Sequence, residues 1–549
     1  MKTLKTILPI LAILLLNLTN IFATETTVPG NQLNALAEAV AAASPGDVLL
    51  LEAGKVYPNE GKLTIDKELT IKATGTFTTH LEKPKVVQVP NASGERSGQT
   101  IEPHANVTFI NIYFDGQRSE DGSDYWTIRT EEPNISLTID GCVFSRSGVA
   151  AIRLNKATDY VSITNTIFAS LVAPGSVSEG RGLDLREGPH KYVLLQNNTF
   201  SNSNDRWIRH IKWGQNKSPV VDTLIVDHNT FNQGLGYRPA FQFSAVGYLE
   251  FTNNLVINPN MLGTDTLTNR VNEINWMDPE AVANVGPNAI TVFNIVQAAA
   301  STESGFEKEA TKIYMKHNNV YLEQAVKDLY ATTDRIEESP LFNNEMATAL
   351  GSDLDAATYS ELLTFGKVGD LHLDVVTNFI SMVDTITVIG NETNPGRPAS
   401  GDRFFLEFGV DTLDLSYNTD ARSYTEAAGG FPVGDLNWFP TKKQEWIDGG
   451  MVGVESNVSE LPEKYSLSQN YPNPFNPTTV INFSIPESGL VSVKVYNALG
   501  QQVAELVNEV KAAGSYDVDF NASNLSSGMY IYKISAGQFS ATRKMMLLK

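Results

Sequence analysis

The 549-residue chain has a single cysteine, Cys142, which excludes any disulfide within the chain. It sits in an apolar strand pattern, where a buried, inert thiol is expected. Basic residues are scarce: 41 Lys and Arg stand against 62 Asp and Glu, for a formal charge of −21. A general nucleic-acid-binding role is thereby excluded, since phosphate contacts need a basic face. Long hydrophobic runs are missing after the amino end, and none approaches the roughly 20 residues of a membrane span. The sequence also lacks a zinc-type Cys/His set and any Ser or Cys nucleophile in a plausible His/Asp arrangement.

What is present begins with MKTLKTILPILAILLLNLTNIFA. Lysines at 2 and 5, an apolar stretch and the small Ala23 predict a secretory signal peptide over residues 1–23. No cysteine follows the apolar stretch, so a lipoprotein anchor is not expected. The next segment predicts an amphipathic helix from Leu33 to Ala42, then Pro45-Gly46-Asp47, a strand Val48 to Leu51 and a Gly54-x-x-Tyr57 turn. A helix placed there would shield the first exposed edge of a stacked solenoid.

A repeat follows. FINIYF, IDGCVF, ITNTIF, LQNNTF, VDHNTF, FTNNLV and MKHNNV end at Phe114, Phe144, Phe168, Phe200, Phe231, Val256 and Val320, spaced by 30, 24, 32, 31, 25 and 64 residues. The last gap is expected to hold two coils, with AITVFNIV (289–296) as the extra one. Asparagines recur at the third position (Asn111, Asn165, Asn197, Asn253) and the fourth (Asn198, Asn229, Asn254, Asn318). Stacked asparagines at a bend can bond to their neighbours above and below, and Asn tolerates a left-handed backbone. The expected fold is all-β: a right-handed parallel β-helix over residues 24–345 with an amino-terminal capping helix. Residues 346–455 lose the period and read as an irregular carboxyl-terminal cap, followed by a linker at 456–464.

Residues 465–549 carry VINFSI, LVSVKVYN, YDVDF, MYIYKIS and KMMLL between turn residues, which predicts six or seven strands of a small immunoglobulin-like β-sandwich. NYPNPFNPTT, YNALGQQV, LSSGMYIYKI and the basic end RKMMLLK resemble the carboxyl-terminal sorting domain of type IX secretion cargo. That resemblance implies a Bacteroidota-type source, type IX secretion machinery as a partner through residues 465–549, and a mature protein released or attached at the cell surface. A carbohydrate-binding β-sandwich is the alternative for this segment.

Four coils carry an apolar residue followed by arginine: TIRT (Arg129), AIRL (Arg153), DLRE (Arg186) and WIRH (Arg209). Strand alternation turns Ile128, Ile152, Leu185 and Ile208 inward and the arginines outward. Glu102 and Gln242 occupy the same position in the flanking coils. Guanidiniums about 5 Å apart repel by roughly 1–3 kcal/mol and need relief. Either Asp184, Glu131, Glu187 and Asp205 provide it, or a bound polyanion does, since guanidinium forks match carboxylates bidentately. Lys191, His190, Arg206, His210, Lys212 and Lys217 add cations, and Trp126, Trp207, Trp213 and Tyr192 could stack on sugar rings.

The helix, PGD, strand, GxY entry and the repeat resemble the pectate-lyase-like β-helix proteins, particularly their chondroitinase and alginate lyase branch. The resemblance implies an acidic polysaccharide as partner and a lyase acting by β-elimination; a non-catalytic glycan-binding or structural solenoid is the alternative. In such lyases a cation neutralises a uronate carboxylate while a base removes the adjacent proton. Arg186, Arg209, His210 and Lys212 are the candidate catalytic residues, with Lys212, His210 or Lys191 better bases than arginine. Arg129, Arg153, Lys191, Trp207 and Trp213 are the candidate substrate-binding residues. The polygalacturonase Gly-His-Gly is missing, and RHIK (209–212) is a near miss to the Arg-Ile-Lys of those hydrolases. The cofactor is not specified; Asp115, Asp121, Asp124, Glu131 and Glu132 could hold calcium, or form only an acidic solvated loop.

Overall fold

The computed structural model describes residues 23–116, 126–171, 179–210, 220–236, 238–265, 291–295, 311–367, 373–383, 410, 413–449, 465–468, 470, 473, 475–485, 489–497, 501–511, 514–536 and 539–548. The signal-peptide stretch up to residue 22 and the proposed linker lie outside them.

A right-handed parallel β-helix forms the first body. Each coil visits three sheets in turn, as in Val107–Ile110, Tyr113–Asp115 and Trp126–Thr130, before the chain returns to the first sheet at Ile135–Asp140. Within the described residues the first and second sheets have 10 strands each and the third has 8. Their pairings within the solenoid are parallel from coil to coil. Residue chemistry sets the turns. At the bend between first and second sheets, the third position of each hexamer is left-handed: Asn111, Asn165, Asn197, His228, Asn253 and His317 have φ between 51° and 59°, and Gly141 has 63°. Asparagine and glycine accept that backbone at little cost.

The fourth position makes the ladder. Asn229 Oδ1 accepts the Asn198 N–H at 3.0 Å, and Asn254 and Asn318 Oδ1 accept the N–H groups of Asn229 and Asn254 at 2.9 and 3.0 Å. The side-chain amides in turn donate to carbonyls of the preceding coil, Asn229 to Leu195 and Asn254 to Val226. The earlier coils place Cys142 and Thr166 there. Burial pushes the Cys142 thiol up to about 12, leaving it protonated and inert.

The hexamer ends fill the core. Phe114, Phe144, Phe168, Phe200 and Phe231 stack with centroids 4.9, 5.1, 4.3 and 4.8 Å apart. This is one continuous apolar column, the inward half of strand alternation.

Three local expectations are corrected. The first helix spans Ala35–Ala42, starting two residues late because Asn34 is left-handed and Leu33 is exposed. The 64-residue gap holds one coil with a long insertion, since Leu255–Ile257 pairs directly with Asn318–Tyr321, while Phe293–Ile295 belongs to the third sheet beside Phe241–Phe243. Finally, Asn344–Leu350, which runs into the stretch expected to be irregular from 346 on, is a helix because the Asn343 side chain caps it by accepting the Met346 N–H at 3.1 Å.

Residues 413–449 lie along the outer face of the second sheet. The N–H groups of Ala428, Gly434, Asp435 and Leu436 bond successively to Asn253, Asn253, Thr230 and Asn197. Lys443 reaches Asn165, one coil further back. Asp435 accepts from Thr199 at 2.7 Å, and Trp438 Nε1 donates to the same hydroxyl at 2.8 Å.

The second body is an antiparallel sandwich. Ser466–Leu467, Thr478–Ile485 and Gly514–Asn521 form one sheet; Gln502–Lys511, Gly489–Asn497, Gly528–Ala536 and Phe539–Leu547 form the other. Its core of Ile481, Phe483, Val491, Val493, Tyr532 and Ile534 is separate from that of the solenoid.

Candidate functional site

The polar column stands on the outer face of the third sheet, but its third rung differs from expectation. Ile152 pairs with Leu183, not Leu185, so Arg153 lies beside Asp184 and Asp184 beside Arg209. The column therefore reads Glu102, Arg129, Arg153, Asp184, Arg209, Gln242 and Asn294, and Arg186 sits two residues further along its strand. A strand slip of two keeps every side chain on its own face, which is why alternation alone did not reveal it.

Asp184 is fully buried and gathers the charges around it. Arg153 Nη2 lies 2.8 Å away, Arg209 Nε 2.8 Å and Arg181 Nη1 3.7 Å. Burial pushes the Asp184 carboxyl up, yet Arg209, Arg153 and Arg181 outweigh it and hold the group well below the usual range. Arg181 also reaches Asp205 at 2.6 Å, where Arg206 joins at 3.1 Å and Arg238 at 3.9 Å. Burial, with Arg181, Arg186 and Arg206 nearby, lowers Arg209 to about 9 despite Asp184. It is still a cation at neutral pH. Burial likewise lowers Arg186, which lies 3.9 Å from Glu187.

The amino-terminal end of the column is more open. The Arg209 side chain is 5% exposed, Arg153 13% and Arg129 26%. The guanidiniums of Arg129 and Arg153 lie 4.6 and 4.7 Å from the Trp126 ring centroid, a cation–π arrangement, and Arg129 Nε is 2.6 Å from Glu131. One coil earlier, Glu102 Oε1 meets His104 Nε2 at 2.7 Å, and Lys62 Nζ lies 2.7 Å from both carboxylate oxygens. Gln99 bridges the coils, donating to Glu102 and accepting from Arg129 at 3.5 Å.

The remaining candidates are dispersed. His210 shares register with the buried core residues Leu154 and Leu185, so it faces inward, away from the arginines. Trp207 is not a sugar platform: it is fully buried beside Phe231 and Phe241, at 5.3 and 5.5 Å. Lys191 is on the first sheet, 3.0 Å from Asp159. His190 is buried, bonded through Nδ1 to Thr158, and lowered to about 3 by burial and His210, hence neutral. Lys212, Trp213 and Lys217 lie outside the described residues.

Of the acidic residues considered for calcium, Asp115 is held by Arg146 and Lys85 on the second sheet and Glu131 by Arg129 on the third. Asp121 and Asp124 lie outside the described residues. Among the described residues no group of three His, Cys, Asp or Glu is placed to hold a metal ion. Arg181, Arg238, Lys62 and His104 join these charged clusters outside the apolar-Arg pattern. His104 was within reach: in TIEPH it lies two residues from Glu102 and so on the same face.

The two bodies thus define a parallel β-helix protein with a carboxyl-terminal antiparallel β-sandwich. Residues 469–548 match the family of the secretion system C-terminal sorting domain. Among solved structures, the PL6 family alginate lyase AlyGC aligns at 20% identity with a TM-score of 0.28, over 43% of this chain and 34% of that one. The chain thus spans about a third of that lyase. No curated protein matches the sequence.

Proposed function

We propose that the chain is exported by a signal peptide and the type IX route and acts on an acidic polysaccharide, as a lyase working by β-elimination. The observation that carries this is the pair of guanidiniums on Trp126. Arg129 and Arg153 are the partly exposed cations of an otherwise buried column, spaced one coil apart at about 4.8 Å. Guanidiniums so placed suit carboxylates on a chain lying along the solenoid axis. In this reading Arg129 and Arg153 bind uronate carboxylates. Arg186 and Arg209 stiffen the face behind them through Asp184.

A second reading, a non-catalytic glycan-binding solenoid, is favoured by one observation: Asp184 already neutralises Arg153 and Arg209 internally. Incubation with alginate, pectate and chondroitin, followed by ultraviolet absorbance of the new unsaturated uronate, separates the two. Rising absorbance that falls in R129A supports the lyase; retained binding without product supports the second reading, and neither product nor binding sinks both.

A further inference from the structure

Elimination needs a base as well as a cation, and the described outer face of the third sheet offers few. Asp184 and Asp205 are buried among guanidiniums, His190 and His210 belong to the interior, and a guanidinium is a poor base. His104 is different: it is 30% exposed, it lies on the same face as the half-open arginines, and it is tied through Nε2 to Glu102. We propose that His104 is the base of the uronate elimination, with Glu102 as its positioning residue; this rests on the lyase reading above.

The geometry supplies each requirement. A carboxylate on Nε2 fixes the tautomer with the proton there, which leaves Nδ1 as the acceptor. Glu102 keeps its charge because Lys62 and His104 outweigh the effect of its burial, and its carboxyl is lowered accordingly. Lys62 is 45% exposed and presents an ammonium beside the same carboxylate. Arg129 stands one coil away, connected through Gln99, with Glu131 beyond it. His104, just past the strand Gln99–Pro103, thus meets Glu102, whose carboxylate also holds Lys62 from the preceding coil.

In the proposed step, Nδ1 of His104 takes the proton from the carbon bearing the uronate carboxylate, which Arg129 neutralises. The freed electron pair becomes the new carbon–carbon double bond, and the adjacent carbon–oxygen glycosidic bond breaks. The departing oxygen takes a proton from Lys62, and water carries the proton gained by His104 back to Lys62, which resets both groups. Mass and charge balance without a further reagent.

The test uses the full chain and its H104A and E102Q variants on alginate, pectate and chondroitin. H104A should lose product formation by about a hundredfold or more. Free imidazole should restore part of the rate, and oligosaccharide binding by calorimetry should be kept. E102Q should lower kcat with KM little changed. Thermal unfolding of both variants guards against a folding defect, and imidazole rescue is a response that a merely structural histidine would not give. Full activity in H104A overturns the base assignment and leaves the lyase reading standing. Absence of product from the unaltered chain on all three substrates overturns both.

Discussion

Asp184 holds together the arginines around it. Replacing it with asparagine leaves Arg153 and Arg209 without their counter-charge, while Arg181 keeps Asp205, and D184N should lose about 3–5 kcal/mol in denaturant unfolding. Asp435 shows the opposite pH behaviour. Burial, against bonds from Asn437 and Thr199, pushes its carboxyl from 3.8 up to about 6. The folded state therefore holds this proton more tightly than the unfolded state does. The contribution is fully present below about pH 4 and is lost as pH rises toward 6, a change of about 3 kcal/mol. D435N should flatten that part of the stability curve; an unchanged slope in urea titrations from pH 3 to 7 would count against it.

Within the coil, the two asparagine positions carry different loads. Asn229→Ala removes the acceptor for the Asn198 N–H and the donor to the Leu195 and Asp227 carbonyls, all buried. It should cost roughly 2–4 kcal/mol. Asn197→Val instead forces a β-branched residue to φ 54°, at about 1–2 kcal/mol from backbone strain, although Asn197 also serves Leu436 and Asn437 of the overlying segment. Equal losses in chemical denaturation, both undone by glycine, would refute this division, because glycine relieves strain but makes no ladder. Both positions were legible as a register in the sequence; which of them was left-handed and which formed the ladder was not. That choice depends on where the bend falls in the hexamer.

For the molecule as a whole, the separate cores of solenoid and sandwich predict two calorimetric transitions, of which removal of residues 465–549 abolishes one. A single unchanged transition would contradict this. The same truncation should stop surface delivery, so that cell fractionation finds the protein retained inside the envelope.

The sequence by itself determined the coil, the inward phenylalanine column, the asparagine register and the sandwich with its sorting motifs, because each follows from local periodicity and turn chemistry. It also found most of the outward arginines. Only the tertiary structure decided which of them are accessible. The bend after Asp205 buries Trp207, the two-residue offset puts Asp184 in the rung expected for Arg186, and His210 turns inward. Pairing between coils sets these outcomes, and a two-residue shift leaves the alternation of faces unchanged. The proposed site accordingly centres on Arg129 and His104, whose partners come from neighbouring coils as well as from nearby in their own coils.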